Sequence, residues 1–262
     1  MPAVYLPHGG GPISYVEMGL PPREVIEMVD YWTTLGGLRT KRPAALLVIS
    51  AHWEASLPTV LSGSNPPLLY DYFGFPPAAY EIEWPAPGQP ALASRVRTLL
   101  DEAGIDSAED AERGFDHGTF VPLGRSFPDA DIPTIQLSLK SGLDPIEHIA
   151  IGRALAPLRD EGVLIVGSGM SYHNMRAFND PAASADADAF DLWLRDTIES
   201  LPLEREARLV AWESAPSARL AHPREEHLLP LMVVVGSAGG DLGRVSFRGA
   251  MAGKTVCAAE FG

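Results

Sequence analysis

The stretch ALLVISAHW, residues 45–53, begins with five apolar residues and ends on a histidine followed by a tryptophan. A short apolar run rich in branched side chains is typical of a strand that is buried on both faces of a sheet. Similar runs occur at residues 3–6, 132–139 and 163–166. The sequence therefore predicts at least four buried strands, one of which carries His52 to the edge of the sheet.

Helical patterns alternate with these strands, at residues 90–103, 144–161, 185–200 and roughly 223–236. In the second of them Asp144 can cap the helix, Pro145 takes the first helical position and Gly162 follows the end. This alternation predicts a layered α/β fold with a central, mostly parallel or mixed sheet flanked by helices, formed by residues 1–262 as one domain. The proline-rich and aromatic tract 65–88 predicts an ordered loop with a short hairpin.

The composition excludes several classes of function. Hydrophobic residues make up 46% of the 262 positions, which is enough for a sizeable core, and the formal net charge of −14 argues against binding to nucleic acid. Cys257 is the single cysteine, so an intrachain disulfide is excluded and a reducing cytoplasm is the expected location. The sequence predicts neither an export signal nor a membrane span.

Three of the predicted strands end in a similar way. His8 follows the first strand, His52 follows the second, and the strand at 163–166 leads into GSGMSYHN, which contains His173. Ligands of open α/β sheets bind beyond the carboxyl ends of the strands. One such histidine is more often a core or loop residue, but three in equivalent positions indicate a common site.

Two further histidines stand in marked local contexts. The segment GFDHGTFVPL predicts a loop that exposes His117, with its tautomer fixed by Asp116 or by a backbone group. In HPREEHLLP a proline suits the start of a helix, so His227 would project from its beginning, although a solvated helix face is the alternative. The remaining pair, His148 and His222, is predicted to pack or to cap a helix.

Five histidines, in a chain whose single cysteine cannot build a thiolate site, indicate a metal site with imidazole ligands. Neutral imidazole is a good ligand for iron, zinc, copper and nickel. The chain contains neither a phosphate loop nor a dinucleotide fingerprint. The glycines of Gly167-Ser168-Gly169 lie too close to the serine for a nucleophile elbow, so a serine hydrolase is a weaker alternative.

On these residues the sequence resembles the class III extradiol ring-cleavage dioxygenases of the LigB-like superfamily, and within it the DOPA 4,5-dioxygenase-like branch. The blocks that carry the resemblance run in order across nearly the whole chain: PAVYLPHGGGP, VISAHW, YDYFGFP, YEIEWPAPG, GFDHGTFVPL, PDADIPTIQLSL, GVLIVGSGMSYHN and HPREEHLLPLMVVVG.

The resemblance implies a mononuclear non-haem enzyme that uses Fe(II) and O₂ to cleave a catechol beside its two hydroxyls, giving a ring-opened semialdehyde. It implies His8, His52 and His227 as metal ligands, His173 as the acid–base residue and His117 as a group that stabilises charge on oxygen. Zn(II) is an expected replacement in purified protein, because zinc outcompetes ferrous iron for such ligands. More distant members use a carboxylate as third ligand, which leaves Glu226 or a direct contact from His173 open.

Apolar walls for an aromatic substrate are predicted at Trp53, Phe73 and Tyr172, with core packing as the alternative for each. Arg125 or Arg176 could pair with a substrate carboxylate, although a surface role is more usual for arginine. Two other functions stay open at this point, a zinc-dependent metallohydrolase and a non-catalytic protein that binds a metal or an aromatic ligand. The oligomeric state is open too, a homodimer being the commonest assembly.

Overall fold

The computed structural model describes residues 1–37 and 42–262. The strands are β1 (Ala3–Pro7), β2 (Ala45–Ala55), β3 (Thr59–Leu61), β4 (Ala108–Asp110), β5 (Thr134–Lys140), β6 (Val163–Gly169), β7 (Gly243–Met251) and β8 (Lys254–Phe261). The α-helices are α1 (Pro22–Gly37), α2 (Pro90–Glu102), α3 (His117–Ser126), α4 (Pro145–Leu155), α5 (Pro157–Asp160), α6 (Ser184–Glu199), α7 (Pro202–Val210), α8 (Ala218–Ala221) and α9 (Leu229–Ala238). Short 3₁₀ helices span Pro77–Tyr80, Pro181–Ala183 and Trp212–Ser214.

In this described part of the chain, eight strands form one mixed sheet in the order β4-β3-β5-β2-β6-β1-β8-β7. The four central strands, β5, β2, β6 and β1, are mutually parallel. Pro7 pairs with Gly169 and Ser50 pairs with Ser168, so the carboxyl ends of β1, β2 and β6 lie side by side. The fold therefore gathers the segments that follow these strands at one edge of the sheet.

Helices cover both faces of the sheet. The Ser168 hydroxyl donates a hydrogen bond to the carbonyl of Gly118 in α3, whereas the neighbouring Gly167 lies against Pro230 in α9. Successive residues of a strand face opposite sides, so α3 and α9 cover opposite faces. All residues of α9 are buried, and a Cβ on its Gly236 would lie 2.1 Å from the Ile149 carbonyl of α4, so glycine permits this close helix contact.

The predicted α/β class and the four predicted strands are confirmed. β2 continues through His52 to Ala55, three residues beyond the imidazole, because it still pairs with β5 there. Within the described residues, no helix combines the length and the hydrophobicity needed to cross a membrane.

Three predictions of local structure were wrong. The helix predicted at 144–161 divides into α4 and α5, because Pro157 lacks the N–H that would continue α4. The helix predicted at 223–236 begins only at Leu229, since the His227 carbonyl accepts from the amide of Met170, directly after β6, and not from a following turn. The tract 65–88 forms a 3₁₀ turn at Pro77–Tyr80 and no hairpin among the described strands.

Candidate metal centre

Three histidines from distant parts of the chain bring their Nε2 atoms together. His52 Nε2 lies 3.2 Å from His8 Nε2 and 3.3 Å from His227 Nε2. Nitrogen ligands about 2.1 Å from one ion, at tetrahedral or octahedral angles, lie about 3.0–3.4 Å from each other. The three imidazoles therefore have the spacing of ligands to one shared ion.

These imidazoles are held in the neutral form that binds metals. Burial, with the neighbouring histidines adding to it, holds the pKa of His8 and of His227 well below the ordinary value. Burial also lowers the pKa of His52 to about 3, although the Asp71 carboxylate opposes this shift. At neutral pH each ring consequently has one nitrogen with a free lone pair.

The sheet edge fixes the backbone of two of these histidines. The His8 amide donates to the Gly169 carbonyl at 3.0 Å, directly beyond the end of β1. The His227 carbonyl accepts hydrogen bonds from the Met170 amide at 3.0 Å and from the Tyr5 hydroxyl at 2.9 Å. A Cβ on Gly169 would lie 2.1 Å from that carbonyl, so glycine is required for His227 to approach β6.

Asp71 orients His117. Its Oδ1 accepts from the His117 amide at 2.9 Å and from Nδ1 at 2.8 Å, and its Oδ2 lies 3.6 Å from His52 Nδ1. Because an ionised carboxylate only accepts hydrogen bonds, Nδ1 of His117 carries a proton that is directed at Asp71. Burial alone would raise the pKa of Asp71, but the hydrogen bonds and charge of His117, together with His52, hold it below the ordinary value.

The prediction that Asp116 or a backbone group fixes the tautomer of His117 was wrong, because Asp71 does so, and His117 is buried at the start of α3 where a loop that exposes it was predicted. Asp116 is fully buried and accepts hydrogen bonds from Ser50 Oγ at 2.7 Å, Gln136 Nε2 at 2.7 Å and Arg113 Nη2 at 3.2 Å. Burial raises its pKa above the ordinary value in spite of these bonds. Asp116 thus links β2 and β5 beneath the site.

Glu226 links a candidate ligand to a candidate acid–base residue. Its Oε1 lies 3.0 Å from Nδ1 of His173 and 3.0 Å from Nδ1 of His227. Burial would raise the pKa of Glu226, but the hydrogen bond and charge of His173, with Arg224, hold it below the ordinary value. Glu226 therefore lies on the Nδ1 side of His227, whereas His52 faces the Nε2 side.

One cavity of about 380 Å³ contains all five histidines singled out in the sequence, His8, His52, His117, His173 and His227. Tyr172, which was predicted to form an apolar wall for a substrate, also lines this cavity. The structure does not bring Trp53 or Phe73 to it. The ring of Trp53 lies beneath the guanidinium of Arg113, and Phe73 is 91% exposed.

The two other histidines are buried away from this cavity. In α4, His148 Nδ1 donates to the Asp144 carbonyl at 2.7 Å and Nε2 accepts from the Lys140 amide at 3.1 Å, which agrees with a packing role. His222 does not cap the following helix, which begins only at Leu229; it is the C-cap residue of α8, and its Nε2 donates to the Ser171 carbonyl at 3.0 Å.

Comparison with known proteins agrees with this arrangement. The family described as the catalytic LigB subunit of aromatic ring-opening dioxygenase matches residues 2–257. The chain belongs to this family, whose members are oxidoreductases of the extradiol dioxygenase class. The resemblance stated from the sequence blocks is thereby confirmed.

Several relatives carry the name 4,5-DOPA dioxygenase extradiol. The protein from Beta vulgaris is 40% identical over 234 residues, which cover 88% of this chain and 84% of the relative. The protein from Escherichia coli K12 is 37% identical over 243 residues, which cover 92% of this chain and 86% of the relative. A solved structure of an uncharacterized Escherichia coli K12 protein superposes with a TM-score of 0.77 at 34% identity, and all of both chains is covered.

Proposed function

We propose that the whole chain, residues 1–262, is a catechol dioxygenase that uses one Fe(II) ion and O₂ to open an aromatic ring beside its two hydroxyls, giving a semialdehyde. The observation that carries this proposal is the meeting of three Nε2 atoms, at the spacing of metal ligands, in a cavity wide enough for one aromatic ring. The names of the relatives support the same reaction class.

His8, His52 and His227 would hold the ion through Nε2. When bound, the ion supplies Lewis-acid and redox chemistry at the open positions on its exposed side. The nitrogen set suits Fe(II), and it suits Zn(II) equally well, so the metal has to be identified by activity and not by content alone.

His173 is the proposed general base. With its Nδ1 proton directed at Glu226, its Nε2 is free to accept a proton from a substrate hydroxyl, and the carboxylate then stabilises the imidazolium. Returning that proton to the ring-opening product completes the cycle for this residue.

His117 is proposed to stabilise negative charge on a reacting oxygen. In the imidazolium form it would donate from Nε2 to that oxygen, while Asp71 balances the positive charge through Nδ1. Because His117 is 6% exposed, little water competes for this hydrogen bond at the imidazole.

The proposal is tested by loading the protein with Fe(II) without oxygen and then adding oxygenated buffer with a panel of catechols. We expect one O₂ consumed for each ring opened, with a new visible absorbance from the semialdehyde. The zinc-loaded protein is the matched control and should consume no O₂. Hydrolysis of esters or amides by the zinc form, with no O₂ uptake by the iron form, would refute the proposal.

A further inference from the structure

The cavity wall beyond the metal centre is made of hydrocarbon and thioether groups. Its apolar side chains are Met18, Leu20, Met170, Met175, Phe178 and Met251. Tyr172 and Asn179 add a hydroxyl and an amide. Among the described residues that line the cavity, none is lysine, arginine, aspartate or glutamate.

The arginines of the neighbouring segments are engaged elsewhere. Arg224 forms two hydrogen bonds with Glu54, at 2.5 and 2.6 Å. Arg113 bonds to Asp116 and stacks on a tryptophan, and Arg125 bonds to the backbone and hydroxyl of a serine. Diverting any of them to a substrate would leave an acid or a carbonyl without its present partner.

Arg176 lies in the same segment as Met175 and Phe178, which line the cavity. It is exposed, and it does not belong to the cavity wall.

A substrate held with its ring at the metal centre would present its substituent to the methionines, whose flexible side chains adapt to apolar groups of different shape.

A charged substituent is disfavoured in such a wall. A carboxylate placed against the methionine and leucine side chains would lose hydration and gain no cationic partner. The chain's net charge of −14 adds a long-range repulsion of anions only, so an ammonium is disfavoured by its lost hydration and the lack of an acidic partner in the wall. An alkyl or aryl substituent would instead gain by leaving water.

We infer that this cavity selects catechols whose ring substituent is uncharged and apolar, with Met175 at the rim as a residue that sets this preference. The inference rests on the proposed function. It also departs from the substrate printed in the relatives' names, since DOPA carries an ammonium and a carboxylate on its side chain.

The test compares catechols whose side chains differ in charge, and among them 4-ethylcatechol and 3,4-dihydroxyphenylacetate are matched in chain length. For the Fe(II)-loaded enzyme we expect kcat/KM to be at least about tenfold higher for 4-ethylcatechol and for methyl 3,4-dihydroxyphenylacetate than for 3,4-dihydroxyphenylacetate, DOPA or dopamine. Equal or greater kcat/KM for any of the three charged catechols would overturn the inference.

Binding of the same compounds without oxygen, measured by calorimetry, tests the substrate preference independently of whether the protein catalyses ring opening. If no catechol consumes O₂, the proposed function fails, and the order of the dissociation constants still decides the inference. Tighter binding of the neutral compounds supports it, and tighter or equal binding of 3,4-dihydroxyphenylacetate contradicts it.

Variants at the wall provide the second readout. Met175 is 64% exposed, so Met175→Arg should fold normally, with its guanidinium reaching solvent at the cavity rim. We expect it to raise kcat/KM for 3,4-dihydroxyphenylacetate relative to 4-ethylcatechol by about tenfold or more, while the uncharged control Met175→Gln should not. Arg176→Ala should leave the ratio of the wild type unchanged. A specific loss of 3,4-dihydroxyphenylacetate binding in Arg176→Ala would show that this arginine reads the carboxylate, and would overturn the inference.

Discussion

The ring of His173 lies parallel to the ring of His227, with the two centroids 3.3 Å apart and the planes inclined by 16°. Both rings direct Nδ1 at the same carboxylate oxygen of Glu226. A proposed acid–base residue is thereby held against a proposed metal ligand without having to bind the metal itself.

This relationship separates catalysis from metal binding. We expect His173→Ala to keep most of its iron, because His8, His52 and His227 remain, but to lower kcat by about 10²- to 10⁴-fold. His8→Ala is the comparison variant and should lose the metal. Iron measured by atomic absorption beside kcat checks both. Loss of iron from His173→Ala equal to that from His8→Ala would contradict the assignment and make His173 a ligand.

We expect Asp71 to raise the rate of turnover by orienting His117 and balancing its positive charge. Asp71→Asn keeps the size of the side chain but removes the charge that balances the imidazolium, and the loss of such a hydrogen-bonding partner costs about 10- to 100-fold in activity. Steady-state kcat and iron content are the measurements. Glu109→Gln is the control, since Glu109 forms an exposed ion pair with Arg97 that contributes little. Wild-type kcat in Asp71→Asn would refute this role.

The sheet and its histidine-bearing edge were predictable from the sequence. Buried parallel strands are apolar throughout, so runs such as ALLVIS mark them, and their carboxyl ends must share one edge.

The role of Asp71 was not predictable in this way. It lies in a proline-rich loop without periodicity, 46 positions from His117, and only the packing of that loop against the start of α3 brings the two together. Asp116, which is adjacent to His117 in sequence, was the local candidate for orienting it. In the structure the buried carboxylate of Asp116 instead accepts hydrogen bonds from Ser50 and Gln136. Local sequence carries no information about such competition between distant and neighbouring acids.

Gly169 offers a test of how the fold positions His227. An added Cβ would lie 2.1 Å from the His227 carbonyl, so Gly169→Ala should push the turn before α9 outwards and weaken metal binding. We expect a loss of roughly 1–3 kcal/mol in the free energy of unfolding and a lower iron content. Gly240→Ala is the matched control, because no atom lies within 4 Å of its Cβ position. Equal iron content in the two variants would contradict the argument.

His222 provides a prediction for the pH dependence of stability that does not involve a proposed ligand. Burial lowers its pKa to about 3, although the hydrogen bond to the Ser171 carbonyl opposes the shift, and the side chain is fully buried. In the unfolded chain the pKa of this histidine is about 6.5, so His222 becomes protonated there at a pH at which it stays neutral in the folded chain. The contribution is fully present above pH 6.5 and is lost as the pH falls towards 3.

Between pH 6.5 and pH 5 this single group should cost the wild type about 2 kcal/mol of unfolding free energy, because one pH unit corresponds to about 1.4 kcal/mol. His222→Gln removes the titration while keeping an N–H that can donate to the Ser171 carbonyl. Urea unfolding of both proteins at a series of pH values measures the difference. As the pH falls to 5, we expect the free energy of unfolding of the wild type to decrease by about 2 kcal/mol more than that of the variant. Parallel curves would mean that His222 binds protons equally in the folded and unfolded states, in which case its burial could not be the cause of acid sensitivity.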